Sequence, residues 1–127
     1  MILGVGVDIV EVQRVERLLR RFGSRFAARI FTKDEIAYCE QRARPAQHYA
    51  VRFAAKEAFV KALGERRASY PGMRWSDISV QRTQQGEPIL TFSGTVKEAV
   101  EQIGLRQVHV SLTHSTQYGA AVVVLEM

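Results

Sequence analysis

The sequence predicts an α+β domain, an antiparallel sheet packed by a long helix, with residues 1–127 forming one unit. Three observations carry that prediction. Some short runs alternate with the two-residue period of strands, while others repeat at the three- and four-residue steps of helices. In chain order they read β-α-α-α-β-β-α-β-β, without the strand–helix alternation that builds a parallel sheet. Finally, 127 residues with 46% hydrophobic and 24% charged side chains suit one core and leave no room for a second.

Ile2 to Val7 is apolar and ends at Asp8, as a buried strand does. Val12, Val15, Leu18 or Leu19, and Phe22 then mark one face of a helix that Gly23 ends. Thr32 and Glu35 form a capping box before a second helix through Tyr38 and Cys39. Arg44-Pro45-Ala46 interrupts, and the alanine-rich stretch from Gln47 to Leu63 is the longest helix, closed by Gly64. Glu65 to Trp75 reads as loop with a Pro71-Gly72 turn. Asp77 to Thr83 and Ile89 to Phe92 flank Gln84-Gln85-Gly86-Glu87-Pro88, a hairpin pattern. Thr95 to Ile103 is a short helix closed by Gly104. Val108, Val110 and Leu112 alternate with His109, Ser111 and Thr113, giving a strand with one polar face. Tyr118 to Leu125 is apolar on both faces, as a central strand requires.

Composition excludes several functions. A single cysteine, Cys39, rules out a disulfide framework and a multi-cysteine zinc site, and suits a reducing cytoplasm. The longest apolar run, Tyr118 to Leu125, is far short of the roughly 18–20 residues that span a bilayer. Met1 to Val5 carries no charged lead and does not read as a signal peptide. The net charge of +5 favours anionic partners such as nucleic acid, phosphate-rich coenzymes or an acidic protein. No phosphate-binding P-loop and no nucleophile elbow are present.

Four groups of residues could carry chemistry. Glu57 and Lys61 are one helical turn apart on a stripe with Phe53, either as a surface ion pair or as part of a site. Asp8, between strand and helix, is either an N-cap or a metal ligand at a strand end. Magnesium suits the second reading, because it needs only one or two carboxylates beside water and phosphate. Asp8 and Glu57 would suffice if the fold brings them together. His109, Ser111 and Thr113 form either a solvated sheet face or the wall of an anion site. Arg14, Arg17 and Arg21 make a basic stripe on the first helix, either solvated or placed to dock an acidic helix or a phosphate backbone.

Taken in order, these segments resemble the holo-acyl-carrier-protein synthases, the small bacterial class of 4′-phosphopantetheinyl transferases. The resemblance runs through Gly4-Val5-Gly6-Val7-Asp8-Ile9-Val10-Glu11, then Arg52-Phe53-Ala54-Ala55-Lys56-Glu57-Ala58-Phe59-Val60-Lys61-Ala62-Leu63-Gly64 and Gly86-Glu87-Pro88. It closes on His109-Val110-Ser111-Leu112-Thr113-His114 and Tyr118-Gly119-Ala120-Ala121. It implies the 4′-phosphopantetheinyl transferase fold, assembled as a homotrimer with sites between neighbouring subunits. It also implies transfer of the phosphopantetheine arm of coenzyme A to a serine of apo-acyl carrier protein, in fatty acid biosynthesis, with magnesium as cofactor and adenosine 3′,5′-bisphosphate as by-product. The family's metal carboxylates fall on Asp8 and Glu57, and its phosphate-contacting lysine on Lys61. Coenzyme A contacts fall on Arg44, Arg52, Lys61, Gly64, Pro88, His109 and Thr113. Carrier docking falls on Arg14 and Arg21, to which helical spacing adds Arg17. No nucleic acid or membrane partner is implied.

Two departures from the family pattern stand out. Val10 occupies the position where larger members carry a second acid, so water is expected to complete the metal shell. Glu65 to Gly72 replaces the usual glycine-rich turn. The competing readings are a non-catalytic nucleic-acid-binding module, which leaves Asp8 and Glu57 without a purpose, and a structural trimer that has lost activity.

Overall fold

The computed structural model describes residues 1–127. In order, the elements are β1 (Ile2–Glu11), α1 (Val12–Phe22), α2 (Ser24–Ile30), α3 (Lys33–Glu40), α4 (Pro45–Leu63), β2 (Ile78–Arg82), β3 (Pro88–Phe92), α5 (Gly94–Ile103), β4 (Gln107–His114) and β5 (Tyr118–Glu126). Two short 3-10 turns, Gly64–Ser69 and Trp75–Asp77, lie between α4 and β2. The α+β class and the central place of β5 agree with the sequence reading: β1, β5 and β4 form an antiparallel sheet in that order, and β2 pairs with β3 in a separate hairpin.

Four local expectations change. Strand β1 continues through Glu11, because Val10 packs into the core and the backbone stays paired with β5 as far as Glu11 opposite Tyr118. Asp8 therefore lies inside a strand and is not an N-cap; that position belongs to Glu11, whose side chain makes no cap bond. Ser24–Ile30 forms a helix absent from the sequence reading, begun after Gly23 without a side-chain cap. Pro45 occupies the first turn of α4, where a missing N–H is harmless. The segment expected as loop after Gly64 contains the two 3-10 turns.

Helix α4 is buried through most of its length, as an apolar, alanine-rich helix should be. It lies against one face of the three-stranded sheet at very short range. A Cβ at Gly4 would lie 2.0 Å from the Ala62 carbonyl oxygen, and one at Gly6 1.8 Å from that of Ala58. The glycines let backbone meet backbone, so β1 and α4 are locked in register. The other face of the sheet is open. Val5, Val7 and Ile9 are 60%, 64% and 63% exposed, and Tyr118 and Val122 lie beside them.

One polar group crosses the core. The Lys56 ammonium is wholly buried, and its three N–H groups are shared among Glu35 Oε1 (2.6 Å), Ile30 O (2.7 Å), Ile78 O (2.6 Å) and, at longer range, Trp75 O (3.1 Å). Glu35 also accepts from the N–H groups of Thr32 and Val80, so the capping box of α3 is joined to β2. Burial pulls the Lys56 pKa down, and Glu35 opposes that. Removing one partner of such a pair strands the other charge. Lys56→Met is expected to destabilise the protein by about 3–5 kcal/mol. The neutral pair Lys56→Met with Glu35→Gln should lose less, as denaturant titration of both variants would measure.

Candidate active site

The register of β1 turns Gly4, Gly6 and Asp8 toward α4. With Gly4 under Ala62 and Gly6 under Ala58, the strand runs antiparallel to the helix. Asp8 thus emerges near the turn of α4 that carries Glu57. The Lys61 ammonium reaches back to donate to Asp8 Oδ1 at 2.8 Å and to the Val7 carbonyl at 3.2 Å. Of the two readings of Glu57 and Lys61, the surface ion pair between them is therefore not the one that forms. Lys61 chooses the strand carboxylate, and its pKa rises because of that hydrogen bond and the charge on Asp8.

Glu57 remains without a hydrogen-bonded cation. Its pKa is raised, first by burial and then by the negative charge of Asp8; Lys61, Arg67 and Arg14 oppose the shift. The three residues that the sequence singles out for metal and phosphate thus share one electrostatic neighbourhood. Arg14 of the basic stripe reaches into it from α1. Two mutually repelling oxygen-donor side chains, one already touching a cation, are a donor set that suits magnesium. No third carboxylate, histidine or thiol joins them in a cluster, which leaves coordination positions to water and phosphate.

A second positive centre lies around Tyr38. The guanidinium carbons of Arg42, Arg52 and Arg82 stand 4.0, 4.2 and 5.9 Å from its ring centre. His48 packs edge-on against the same ring, and His114 packs against His48. Arg52 is 1% exposed, donates to the His48 carbonyl at 3.2 Å, and keeps a buried Nε with no partner. None of the three arginines forms an ion pair. The His48 pKa is lowered by burial and by the charges of Arg52, His114, Arg42 and Arg82. Uncompensated cations around a buried, unsatisfied N–H describe an anion site.

The coenzyme contacts expected from sequence divide between these centres. Lys61 and Gly64 lie at the carboxylate end, where Gly64 and Arg67 help line a cleft of about 380 Å³. Arg52 is at the Tyr38 centre. Arg44 is the N-cap residue of α4, Pro88 pairs with Arg82, and Thr113 precedes His114. His109 is on the open sheet face, its Nε2 2.9 Å from Glu126 Oε1. Tyr38, Arg42, Arg82, His48 and His114 were not expected as a group. They come from α3, the following turn, β2, α4 and β4, and no single spacing could unite them. Arg14, Arg17 and Arg21 are exposed along α1. Below them Leu18, Phe22 and Phe26, with Arg25 and Arg29, line a groove of about 360 Å³.

Residues 4–123 match the model of the 4′-phosphopantetheinyl transferase superfamily. The chain is 44% identical over 126 residues to a holo-[acyl-carrier-protein] synthase of Koribacter versatilis, covering 99% of each chain. It is 42% identical, with the same coverage, to that of Solibacter usitatus. Among solved structures it is similar to the holo-[acyl-carrier-protein] synthase of Neisseria meningitidis, with a TM-score of 0.87 and 34% identity over 100% of both chains. It is also similar to that of Bacillus anthracis in complex with CoA (3′,5′-ADP), with a TM-score of 0.76 and 34% identity over 99% of this chain and 97% of that one. Sequence, fold and full-length coverage agree: this chain belongs to the 4′-phosphopantetheinyl transferase superfamily, among the holo-acyl-carrier-protein synthases.

Proposed function

We propose that this chain transfers the 4′-phosphopantetheine group of coenzyme A to a serine of apo-acyl carrier protein. The observation that carries the reading is the meeting of Asp8, Glu57 and Lys61 across the β1–α4 contact. The serine oxygen forms a bond to the phosphorus that bears the pantetheine arm. The bridging bond to the adenosine phosphate breaks, and adenosine 3′,5′-bisphosphate leaves. Asp8 and Glu57 would hold magnesium, which neutralises charge on the diphosphate oxygens. Lys61 adds a fixed positive charge beside them. Glu57, or a water held near Asp8, takes the serine proton. The attacking group belongs to the carrier, so the chain needs no nucleophile of its own. Cys39 fits that: it is buried, with its pKa pushed up to about 12 chiefly by burial.

The cations around Tyr38 suit the 3′-phosphate of the coenzyme. Arg52 and Glu57 are five residues apart on α4, hence about 140° apart around the helix. A coenzyme that touches both kinds of centre would bridge two copies of the chain more easily than wrap one. The open face of Val5, Val7, Ile9 and Val122 offers a surface for such an assembly, and a homotrimer is the form that the resemblance implies. Arg14, Arg17 and Arg21 would steer the acidic carrier toward Glu57. A soluble carrier substrate and a reduced thiol suit the cytoplasm, and no helix is long and apolar enough to cross a membrane.

The direct test incubates the protein with apo-acyl carrier protein, coenzyme A and magnesium, and weighs the carrier by mass spectrometry. A gain of one phosphopantetheine is expected, and an unchanged carrier mass would overturn the reading. Light scattering should give three times the 14.3 kDa chain mass. Val7→Lys on the open face should give monomers that no longer transfer the arm. A wild-type monomer in every condition would remove the shared site.

A further inference from the structure

Lys56 has no part in the transfer chemistry described above, yet it is the most heavily bonded side chain in the molecule's interior. An apolar residue of similar length would fill the same space without desolvating a charge. What the ammonium adds is a simultaneous hold on two further segments: Ile30 at the end of α2, and the continuous stretch from Trp75 to Ile78 that leads into β2. Trp75 and Ile78 close the connection that starts at Gly64. Within it, the backbone bonds Tyr70 to Arg67 and Met73 to Tyr70 are local, and the longer-range bond, from the Ser93 N–H to the Asp77 carbonyl (2.9 Å), lies beyond Trp75. Local bonds alone do not fix a segment against its neighbours. Lys56 ties its far end to α4, one residue before Glu57.

The tie has a visible consequence. The Trp75 indole packs edge-on against Phe53, with ring centres 6.0 Å apart. Phe53 lies one turn before Glu57 on the stripe that continues to Lys61. The same connection supplies Arg67, Tyr70 and Met73 to the cleft beside Gly64. Resting on the functional reading above, we infer that Lys56 is a positioning residue for coenzyme A, acting through Trp75. It holds the Gly64–Trp75 connection at the height on α4 where the diphosphate and the arm must pass.

Trp75 is the only tryptophan, so its emission reports its own placement. The experiment titrates coenzyme A with magnesium chloride into the full chain by calorimetry and records Trp75 emission before and after. The variants are Lys56→Met with Glu35→Gln, Trp75→Ala and Trp75→Phe. The Lys56 variant is expected to bind coenzyme A about tenfold more weakly, while its KM for acyl carrier protein stays within about twofold. Its ligand-free emission should shift to the red. Trp75→Ala keeps the Lys56 bond to the backbone carbonyl and should show the same loss of coenzyme affinity, with Trp75→Phe restoring most of it. Unchanged coenzyme affinity in the folded Lys56 variant or in Trp75→Ala overturns the inference, and so does an equal loss of coenzyme and carrier affinity. If the Lys56 variant does not fold, the Trp75 pair decides. A wild type that binds no coenzyme A would sink the functional reading instead, and the ligand-free emission would still show whether Lys56 holds Trp75.

Discussion

Glu57→Gln should lower kcat/KM for transfer by about a hundredfold or more, the usual contribution of a positioned acid–base group, while the fold survives. Glutamine keeps the volume of the side chain and removes a charge that Asp8 repels and burial disfavours. Loss of activity should therefore come with unchanged or higher stability, opposite in sign to a structural defect. The pH dependence follows from the same shift. The folded-state pKa of Glu57 lies above its ordinary 4.5, so the folded protein holds this proton to higher pH than the unfolded chain. Ionised Glu57 thus subtracts stability as pH rises from 4.5 through the raised value, and the glutamine variant lacks that term. The variant's stability advantage should appear at neutral pH and vanish below 4.5. Activity moves the other way: transfer should fail on the acid side, because protonated Glu57 neither holds a metal nor accepts the serine proton, and raising magnesium should push that limb to lower pH. A glutamine variant that transfers the arm as fast as the parent, with chelator present, would refute the metal and base roles together.

The parts of this molecule legible in its sequence are those fixed by local pattern. The capping box of Thr32 and Glu35, the glycine after α4 and the alternation in β4 involve neighbours a few residues apart, and they form as expected. The second half of β1 was not legible, because Asp8 and Glu11 look polar enough to end a strand. Pairing with β5 supplies what the local sequence does not. The candidate site shows the same division. Spacing placed Glu57 and Lys61 on one face, but not the choice of Lys61 between Glu57 and a carboxylate 53 residues earlier. Arg52 was singled out by resemblance alone. Its physical reason, a buried Nε without a partner beside Tyr38, depends on side chains that only the folded chain assembles. The role of Lys56 is not legible within the same motif, since its acceptors, drawn from α2, α3, Trp75 and β2, leave no mark on its neighbours in sequence.

Gly6→Ala should be the most damaging single methyl group added to this site. Its Cβ would lie 1.8 Å from the Ala58 carbonyl oxygen, 2.8 Å from the carbonyl carbon and 2.9 Å from the Ala62 nitrogen. All three are backbone atoms, so no rotamer change relieves the overlap, and α4 must move away from β1. A loss above about 4 kcal/mol is expected, in the exceptional range for a point substitution and comparable with the whole stability of a marginal domain. Gly86→Ala is the internal control. That glycine has φ +86° in the β2–β3 turn, and a Cβ there meets nothing within 4 Å, so only the left-handed strain of about 1–2 kcal/mol applies. The two variants separate backbone strain from loss of the strand–helix contact, and thermal unfolding reads the difference. The functional consequence follows from the same geometry. Asp8 is two residues beyond Gly6 on the same face of β1, so any fraction of Gly6→Ala that folds must carry Asp8 away from Lys61 and Glu57. Its transfer activity per folded molecule should fall with its stability, whereas Gly86→Ala leaves Asp8, Lys61 and Glu57 in place. A Gly6→Ala protein as stable as the Gly86→Ala control and fully active would show that the close approach of β1 and α4 does not set the distance between the two carboxylates.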